Sequence, residues 1–263
     1  MSIQTITSRD NPLYKQLKQL ATSSQARRKS GRTLLDGIHL CQAYLDQCGA
    51  PPLCIVGEGS RAHPEVAAIL ARCQEAHGRA LELPDALCHA LSQVEHGIGL
   101  LFMIDTPRPQ TAGRLTEQSV LLDNLQDPGN LGSILRSAAA AGVKSVYCSP
   151  GTAFAWSPKV LRAGMGAHFL LRIHENADLA ALVAGAEVPV LATSSHAART
   201  LYDLDLRAPV AWLFGHEGQG VAPALLELAT ERIAIPHPGE VESLNVAASA
   251  AICFFEQVRQ RRA

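Results

Sequence analysis

The second half of the chain alternates short apolar segments with helical patterns, and this alternation limits the folds open to it. Strands are predicted at 119–123, 145–148, 168–173, 190–193, 210–214 and 232–235. Helices are predicted between them at 132–141, 157–165, 177–185 and 222–229, and a last helix begins at Asn245. Such alternation predicts a parallel sheet covered by helices on both faces, with ligands at the carboxyl ends of the strands.

The N-terminal part repeats the alternation on a smaller scale. Helices are predicted at 13–21, 38–47, 64–76 and 84–92, and apolar strands at 53–56, 80–83 and 98–104. Pro107, Pro109 and Gly113 then interrupt a stretch with few apolar residues, which is typical of a linker. We therefore predict a small α/β domain at 1–105, a linker at 106–118 and a larger α/β domain at 119–263.

Charge is distributed unevenly along the chain, although the formal net charge is only −1. Residues 1–32 contain one acidic residue, Asp10, and carry a net charge of +6. Residues 33–263 therefore carry a net charge of −7. The basic residues of this segment are Arg9, Lys15, Lys18, Arg27, Arg28, Lys29 and Arg32. Such a cluster predicts contacts with nucleic-acid phosphates, and a solvated helix face is the alternative.

Composition argues against several classes of protein. The seven cysteines never form a C-x-x-C pair, and the ten histidines show no metal-ligand spacing, so we expect neither a disulfide framework nor a metal site. The chain has no apolar run of roughly 18 residues and no N-terminal signal pattern. We therefore expect a cytoplasmic protein without a membrane span.

Three loops follow predicted strands and are rich in glycine, proline and short polar residues, so they are candidates for one site. The first is 124–132 (N-L-Q-D-P-G-N-L-G), where Asn130 could cap the next helix and Arg136 could face back toward the loop. The second is 214–220 (F-G-H-E-G-Q-G), in which Glu217 can accept hydrogen bonds. The third is 235–245, where Ser243 and Asn245 could also be an ordinary pair of N-caps.

A fourth glycine loop, 57–62 (G-E-G-S-R-A), imitates a dinucleotide-binding fingerprint because Glu82 follows about twenty residues later. Its strand is short, however, and His63-Pro64 opens the helix behind it. No second mononucleotide-binding half is recognisable. A nicotinamide-dependent oxidoreductase is therefore a weak alternative.

Taken in order, the three loops resemble the motifs of the SpoU (TrmH-type) RNA ribose methyltransferases of the SPOUT superfamily. The matching segments are D-P-G-N-L-G at 127–132 with Arg136, F-G-H-E-G-Q-G at 214–220, and I-P at 235–236 with S-L-N-V-A at 243–247. The segments 157–166 (S-P-K-V-L-R-A-G-M-G), 8–12 (S-R-D-N-P) and 34–37 (L-L-D-G) also resemble the family and its N-terminal substrate-binding domain. Departures are Asp36, Gly164 and His237, where a glutamate, a serine and a methionine are common.

The resemblance implies a trefoil-knotted C-terminal domain, S-adenosylmethionine as methyl donor, a ribose 2′-hydroxyl as acceptor and a homodimer formed through the C-terminal domain. It implies a donor site made of Leu213, Phe214, Gly215, Glu217, Gly220, Ile235, Pro236, Leu244 and Asn245. It implies catalytic roles for Arg136, Asn130, Glu217, Ser243 and Asn245. It favours ribosomal over transfer RNA, and a non-catalytic ribosome-assembly factor remains the alternative.

In this interpretation Arg136 would clamp a phosphate and stabilise the developing alkoxide, because a guanidinium is a poor base. The hydroxyl proton would pass to a phosphate oxygen, a water or Glu217. The basic residues of 1–32 would hold the RNA.

Overall fold

The computed structural model describes residues 3–94, 97–109 and 114–262, so part of the predicted linker, 110–113, lies outside the described residues. The described chain forms two compact units. The N-terminal unit lies within Met1–Pro107 and Trp156–Phe169, and the C-terminal unit lies within Arg108–Ala155 and Leu170–Ala263. Leu115, which belongs to the predicted linker, packs in the core of the C-terminal unit.

The first part of the chain folds as a five-stranded mixed sheet with helices. Its elements are β1 (Gln4–Thr5), α1 (Pro12–Thr22), α2 (Ser24–Ser30), β2 (Arg32–Asp36), α3 (Ile38–Cys48), β3 (Leu53–Gly57), α4 (Pro64–Glu75), β4 (Ala80–Leu83), α5 (Asp85–Leu91) and β5 (Leu100–Asp105). The strand order is β1-β4-β3-β5-β2, with β5 antiparallel to both of its neighbours. Asn11 starts α1 by accepting a hydrogen bond from the Leu13 N–H, and Leu17 and Leu20 bury its apolar face.

The rest of the chain forms a seven-stranded parallel sheet, as the alternation of patterns predicts. Its elements are β6 (Ser119–Leu122), α6 (Pro128–Ala140), β7 (Ser145–Cys148), α7 (Pro158–Gly164), β8 (Arg172–His174), α8 (Leu179–Ala184), β9 (Val190–Thr193), β10 (Arg199–Thr200), β11 (Ala211–Phe214), α9 (Pro223–Leu228), β12 (Glu231–Ala234) and α10 (Val246–Arg262). The strand order is β10-β12-β9-β11-β6-β7-β8. The carboxyl ends of β6, β11, β9 and β12 therefore lie side by side.

Helix α7 belongs to the N-terminal unit, although the pattern of the sequence places it in the second domain. The Thr33 hydroxyl of β2 donates a hydrogen bond to the Trp156 carbonyl at 2.9 Å, just ahead of the helix. The Arg162 guanidinium donates to the Gln93 carbonyl at 3.2 Å. These contacts explain why 156–169 groups with residues that are distant in sequence.

Two local predictions in the second half of the chain are wrong. Helix α6 begins at Pro128 rather than at Gly132, and its N-cap is Asp127, whose carboxylate accepts from the Asn130 N–H at 2.7 Å. Asn130 lies inside the first turn and does not cap the helix. The predicted strand at 168–173 is a 3₁₀ turn, Ala167–Leu170, followed by the shorter strand β8.

Among the described residues, no helix is long and apolar enough to cross a membrane. The same residues contain no group of three His, Cys, Asp or Glu side chains placed to hold a metal ion.

Candidate active site

The Glu217 carboxylate joins the second loop to the first. Its Oε2 accepts a hydrogen bond from the Gln126 N–H at 3.1 Å, and its Oε1 accepts from the Asp127 N–H at 3.0 Å. The same Oε1 accepts from Nδ2 of Asn130 at 3.1 Å. One carboxylate therefore holds the start of α6 through three donors.

Asn245 brings the third loop to the same place. Its Oδ1 accepts from the backbone N–H groups of Ala247 at 2.9 Å and Ala248 at 3.3 Å, which makes it the N-cap of α10. Because the oxygen is used in this way, the amide nitrogen points outward and donates to Oδ1 of Asn130 at 2.9 Å. Asn130 must then present its own nitrogen to Glu217, so the three side chains form one ordered chain of hydrogen bonds.

The hydrogen bonds to Glu217 control its ionisation. Burial raises the pKa of this carboxyl group, but the backbone N–H groups of Asp127, Glu217 and Gln126 and the Asn130 amide lower it by more. The net pKa is below the ordinary value, so Glu217 is ionised at neutral pH. The group is a better anchor than proton acceptor.

The second loop is built around glycine. A Cβ on Gly215 would come closer than 3.0 Å to backbone atoms of Gly220 and Val221, a distance that real Cβ atoms essentially never show. Gly220 has a φ of +70°, which other residues rarely adopt. The loop can therefore close only with glycine at position 215, and its conformation at position 220 favours glycine.

The predicted donor-site residues surround the carboxyl edge of the sheet. Leu213 and Phe214 are buried in β11, Ile235 and Leu244 are half-buried, and Pro236 is exposed. The Thr193 hydroxyl donates to the Leu213 carbonyl at 3.3 Å. Half-buried apolar side chains beside main-chain polar groups, next to a loop that admits no side chain at Gly215, fit a ligand such as S-adenosylmethionine, which has an aromatic ring and a polar tail.

Arg136 lies on the exposed stripe of α6 that also includes Gly129 and Ser133. It is about 9 Å along the helix axis and about 120° around it from Asn130, and it shares a face of the helix with Gly129 of the first loop. Ser243 is exposed two residues before the Asn245 cap. The structure thus connects Asn130, Glu217 and Asn245 directly, and it leaves Arg136 and Ser243 outside that chain of bonds.

Sequence reasoning missed the loop 149–152, which follows β7, and several residues that support the site. Gln126 donates through Nε2 to Oδ1 of Asn124 and to the Gly151 carbonyl, both at 2.7 Å. The Ser149 hydroxyl accepts from the Asn124 N–H at 2.8 Å. The Asp123 carboxylate accepts from the Ala222 N–H at 2.9 Å. The segment S-P-G-T that follows the strand at 145–148 was the available signal.

Six of the seven predicted RNA-binding residues divide into two groups. Arg9, Arg28 and Lys29 are exposed. Lys15 is exposed but pairs with Asp10 at 2.9 Å, Arg32 pairs with Asp105 at 2.8 Å, and Lys18 donates to the Ala90 carbonyl.

The prediction that Arg27 contacts phosphate is wrong. Arg27 is only 6% exposed, and its Nη1 donates to the Leu20 carbonyl at 2.6 Å near the end of α1. Burial lowers the pKa of its guanidinium. The side chain satisfies carbonyl groups at a helix end, so it is not available to RNA.

The glycine loop at 57–62 does not have the arrangement of a nucleotide site. The Asp85 carboxylate accepts from the Gly59 N–H at 3.0 Å and occupies the space beside Gly57. Glu82 pairs with Arg61 at 3.0 Å. An acid next to this loop would repel a pyrophosphate, so the oxidoreductase alternative loses its support.

Comparison with known proteins agrees with this geometry. Residues 117–255 match the model of the SpoU rRNA Methylase family. An uncharacterized tRNA/rRNA methyltransferase of Synechocystis is 36% identical over 98% of this chain and 95% of its own. The 23S rRNA (guanosine(2553)-2′-O)-methyltransferase RlmP of Bacillus subtilis is 30% identical over 95% of this chain and 97% of its own.

A crystal structure of an rRNA methyltransferase from Sinorhizobium meliloti with bound AdoMet (S-adenosylmethionine) matches 98% of both chains with a TM-score of 0.84 and 25% identity. The two relatives and this crystal structure each match almost the whole chain, and the family model matches its second half. The chain therefore belongs to the SpoU rRNA methylase family.

Proposed function

We propose that this protein transfers a methyl group from S-adenosylmethionine to a ribose 2′-hydroxyl of RNA, and that the RNA is ribosomal. The observation that carries the proposal is the chain Asn245–Asn130–Glu217, which draws three loops together at the carboxyl edge of the parallel sheet. The name of the Bacillus subtilis relative specifies a 2′-O-methyltransferase of 23S rRNA and favours ribosomal over transfer RNA. A cytoplasmic location goes with that substrate.

The donor would lie against residues 213–215, Gly220, 235–236 and Leu244, with Glu217 and Asn245 fixing the loops around it. A trefoil knot in the C-terminal unit is part of the proposal. In support, β12 lies between β9 and β10, and the chain that leaves it reaches Asn245, which returns to Asn130 of the first loop. The domain division at 1–105, 106–118 and 119–263 also stays a proposal.

Methyl transfer to a ribose hydroxyl requires the protein to position the reactants, and it requires no covalent bond between the protein and either of them. S-Adenosylmethionine, when bound, supplies a methyl group on a positively charged sulfur. The residues of this chain must then place the ribose oxygen in line and leave its proton an acceptor within reach. Arg136 would hold the adjacent phosphate and stabilise negative charge on the oxygen, because its guanidinium stays protonated. Ser243, exposed in the third loop, would contact the ribose.

The proton acceptor is then a phosphate oxygen or a water rather than Glu217. Glu217 already accepts three hydrogen bonds, and its pKa is lowered. Accepting a proton would place a donor among the N–H groups from which Glu217 now accepts, and it would weaken the bonds that hold the first loop.

The N-terminal part would supply affinity for RNA through its exposed cations, Arg9, Arg28 and Lys29 among them. Dimer formation would use the last helix. Phe255 of α10 is 48% exposed, and Ile252, one turn earlier, is half-buried. These two side chains are the apolar residues of α10 that contact with a second copy of the chain would bury.

The test is transfer of labelled methyl from S-adenosylmethionine to unmodified ribosomal and transfer RNA, with Arg136→Ala as the comparison. We expect label in alkali-resistant dinucleotides of ribosomal RNA and its loss in the variant. Donor binding without transfer to either RNA would point to an assembly intermediate as substrate. RNA binding without donor binding would favour the non-catalytic assembly factor.

A further inference from the structure

His216 lies next to Glu217 in the second loop, and it has no role in the proposed methyl transfer. Its Nδ1 accepts a hydrogen bond from the Gly218 N–H at 2.9 Å and another from the Gln219 N–H at 3.3 Å. A ring nitrogen that accepts from backbone N–H groups carries no proton. The neutral ring must then hold its proton on Nε2.

The backbone of the same residue closes the turn. The His216 N–H donates to the Gly220 carbonyl at 3.0 Å, and the Gly220 N–H donates to the His216 carbonyl at 2.8 Å. These bonds leave a three-residue turn, 217–219, whose inner N–H groups meet the imidazole. Backbone and side chain of one residue thus fix the direction in which Glu217 leaves the turn.

The direction of Glu217 matters because its carboxylate holds Asp127 and Asn130 in the first loop. Without the ring, the N–H groups of Gly218 and Gln219 would lose their partner and turn toward water. The turn would then sample other shapes, and the carboxylate would no longer be held opposite the first loop.

We propose that His216 is a positioning residue of the donor site, and that it acts as a neutral hydrogen-bond acceptor through Nδ1. The proposal rests on the proposed methyltransferase function. His216 accepts hydrogen bonds from the N–H groups two and three residues later in the chain. An Asx turn has the same pattern, with a side-chain oxygen of asparagine or aspartate as the acceptor. Asparagine should therefore replace His216, whereas alanine should not.

The tautomer is tested first, and this test needs no donor. Full-length protein labelled with ¹⁵N-histidine is examined by long-range ¹H–¹⁵N correlation at about pH 8, where histidine is mostly neutral. We expect an unprotonated Nδ1 and a protonated Nε2 for His216, assigned by the loss of its signals in His216→Asn. His237 is the internal reference, since its Nδ1 donates to the Ile235 carbonyl at 2.9 Å and its tautomer should be the opposite one. A protonated Nδ1 on His216 would overturn the proposal.

The effect on the donor is measured by calorimetric titration of the full chain with S-adenosylmethionine. We expect His216→Ala to weaken binding roughly 5- to 30-fold, as the loss of two hydrogen bonds implies, and His216→Asn to stay within about threefold of wild type. His89→Ala, which removes an exposed histidine of α5, is the matched control and should bind as wild type does. Thermal melting of each variant checks that it is folded.

Two results would overturn the role of His216 and leave the methyltransferase intact. One is wild-type affinity in His216→Ala, and the other is an asparagine variant as weak as the alanine variant. Absence of donor binding in the wild type would instead contradict the proposed function, and the positioning role would fall with it.

Discussion

Substitution of Gly215 by alanine tests whether the second loop has to close as tightly as the structure shows. The added Cβ would lie closer than 3.0 Å to backbone atoms of Gly220 and Val221, whereas carbon atoms prefer a separation of about 3.5–4.0 Å. Backbone rather than a flexible side chain must therefore move, by more than about 1 Å. Overpacking of this kind costs about 1–3 kcal/mol, which corresponds to a fall in Tm of roughly 2–12 °C in a chain of this size.

The same movement displaces the turn that carries Glu217, so we expect Gly215→Ala to weaken S-adenosylmethionine binding by more than about tenfold. Gly218→Ala is the control within the same loop. A Cβ there would meet only His216 ring atoms, at 3.8 Å, which is ordinary contact. Calorimetric titration and thermal melting of both variants provide the comparison. Wild-type donor affinity in Gly215→Ala, or equal losses in the two variants, would refute this view of the loop.

Four further predictions follow from the site and its surroundings. Arg136→Lys should lower kcat/KM for RNA at least about tenfold with little change in donor affinity, since lysine lacks the planar fork that binds phosphate; unchanged kinetics would exclude the clamp. Glu217→Gln should lose one charge-assisted bond and reduce methyl transfer roughly 5- to 30-fold, by the same factor from pH 6 to 9. A depressed pKa keeps the wild-type carboxylate charged throughout that range, and its anchoring is lost only in acid, as the pH falls through the lowered pKa; a difference from wild type that narrows at pH 6 would assign Glu217 as the base. Combined reversal of Arg28 and Lys29 to glutamate should flatten the salt dependence of RNA binding, and an unchanged slope measured by filter binding would place the RNA elsewhere. Phe255→Asp should yield monomers in sedimentation equilibrium, and a dimer that persists would move the interface away from α10.

The repeated pattern of the second half was sufficient to predict its parallel sheet and the edge at which the loops meet. Buried parallel strands are short apolar runs, and β7 and β9 have the bounds that the pattern predicts. The pattern contains no information on strand order. The position of β12 between β9 and β10 depends on pairing between residues distant in sequence, such as Arg199 with Ile233.

Local signals failed where tertiary contacts decided the outcome. Strand β2 opens with Arg32 in a basic segment, and only its antiparallel pairing with β5 makes it a strand. Asp127 and Asn130 are both good capping residues, so the sequence could not choose between them. Arg27 looks like its exposed neighbours in a basic run, yet the turn between α1 and α2 brings it against the carbonyl of Leu20.

The orientation of the polar chain at the site depends on a helix end. Asn245 must use its oxygen to cap α10, so its nitrogen faces Asn130, and Asn130 in turn offers its nitrogen to Glu217. A chain of donors that runs in one direction needs an acceptor at its end, and an ionised carboxylate is the strongest acceptor that a side chain provides. Protonation of Glu217 would place a donor opposite the N–H groups of Gln126 and Asp127. The arrangement therefore works against Glu217 as a base during methyl transfer, and in the proposed mechanism the ribose proton would pass to the phosphate that Arg136 would hold or to solvent.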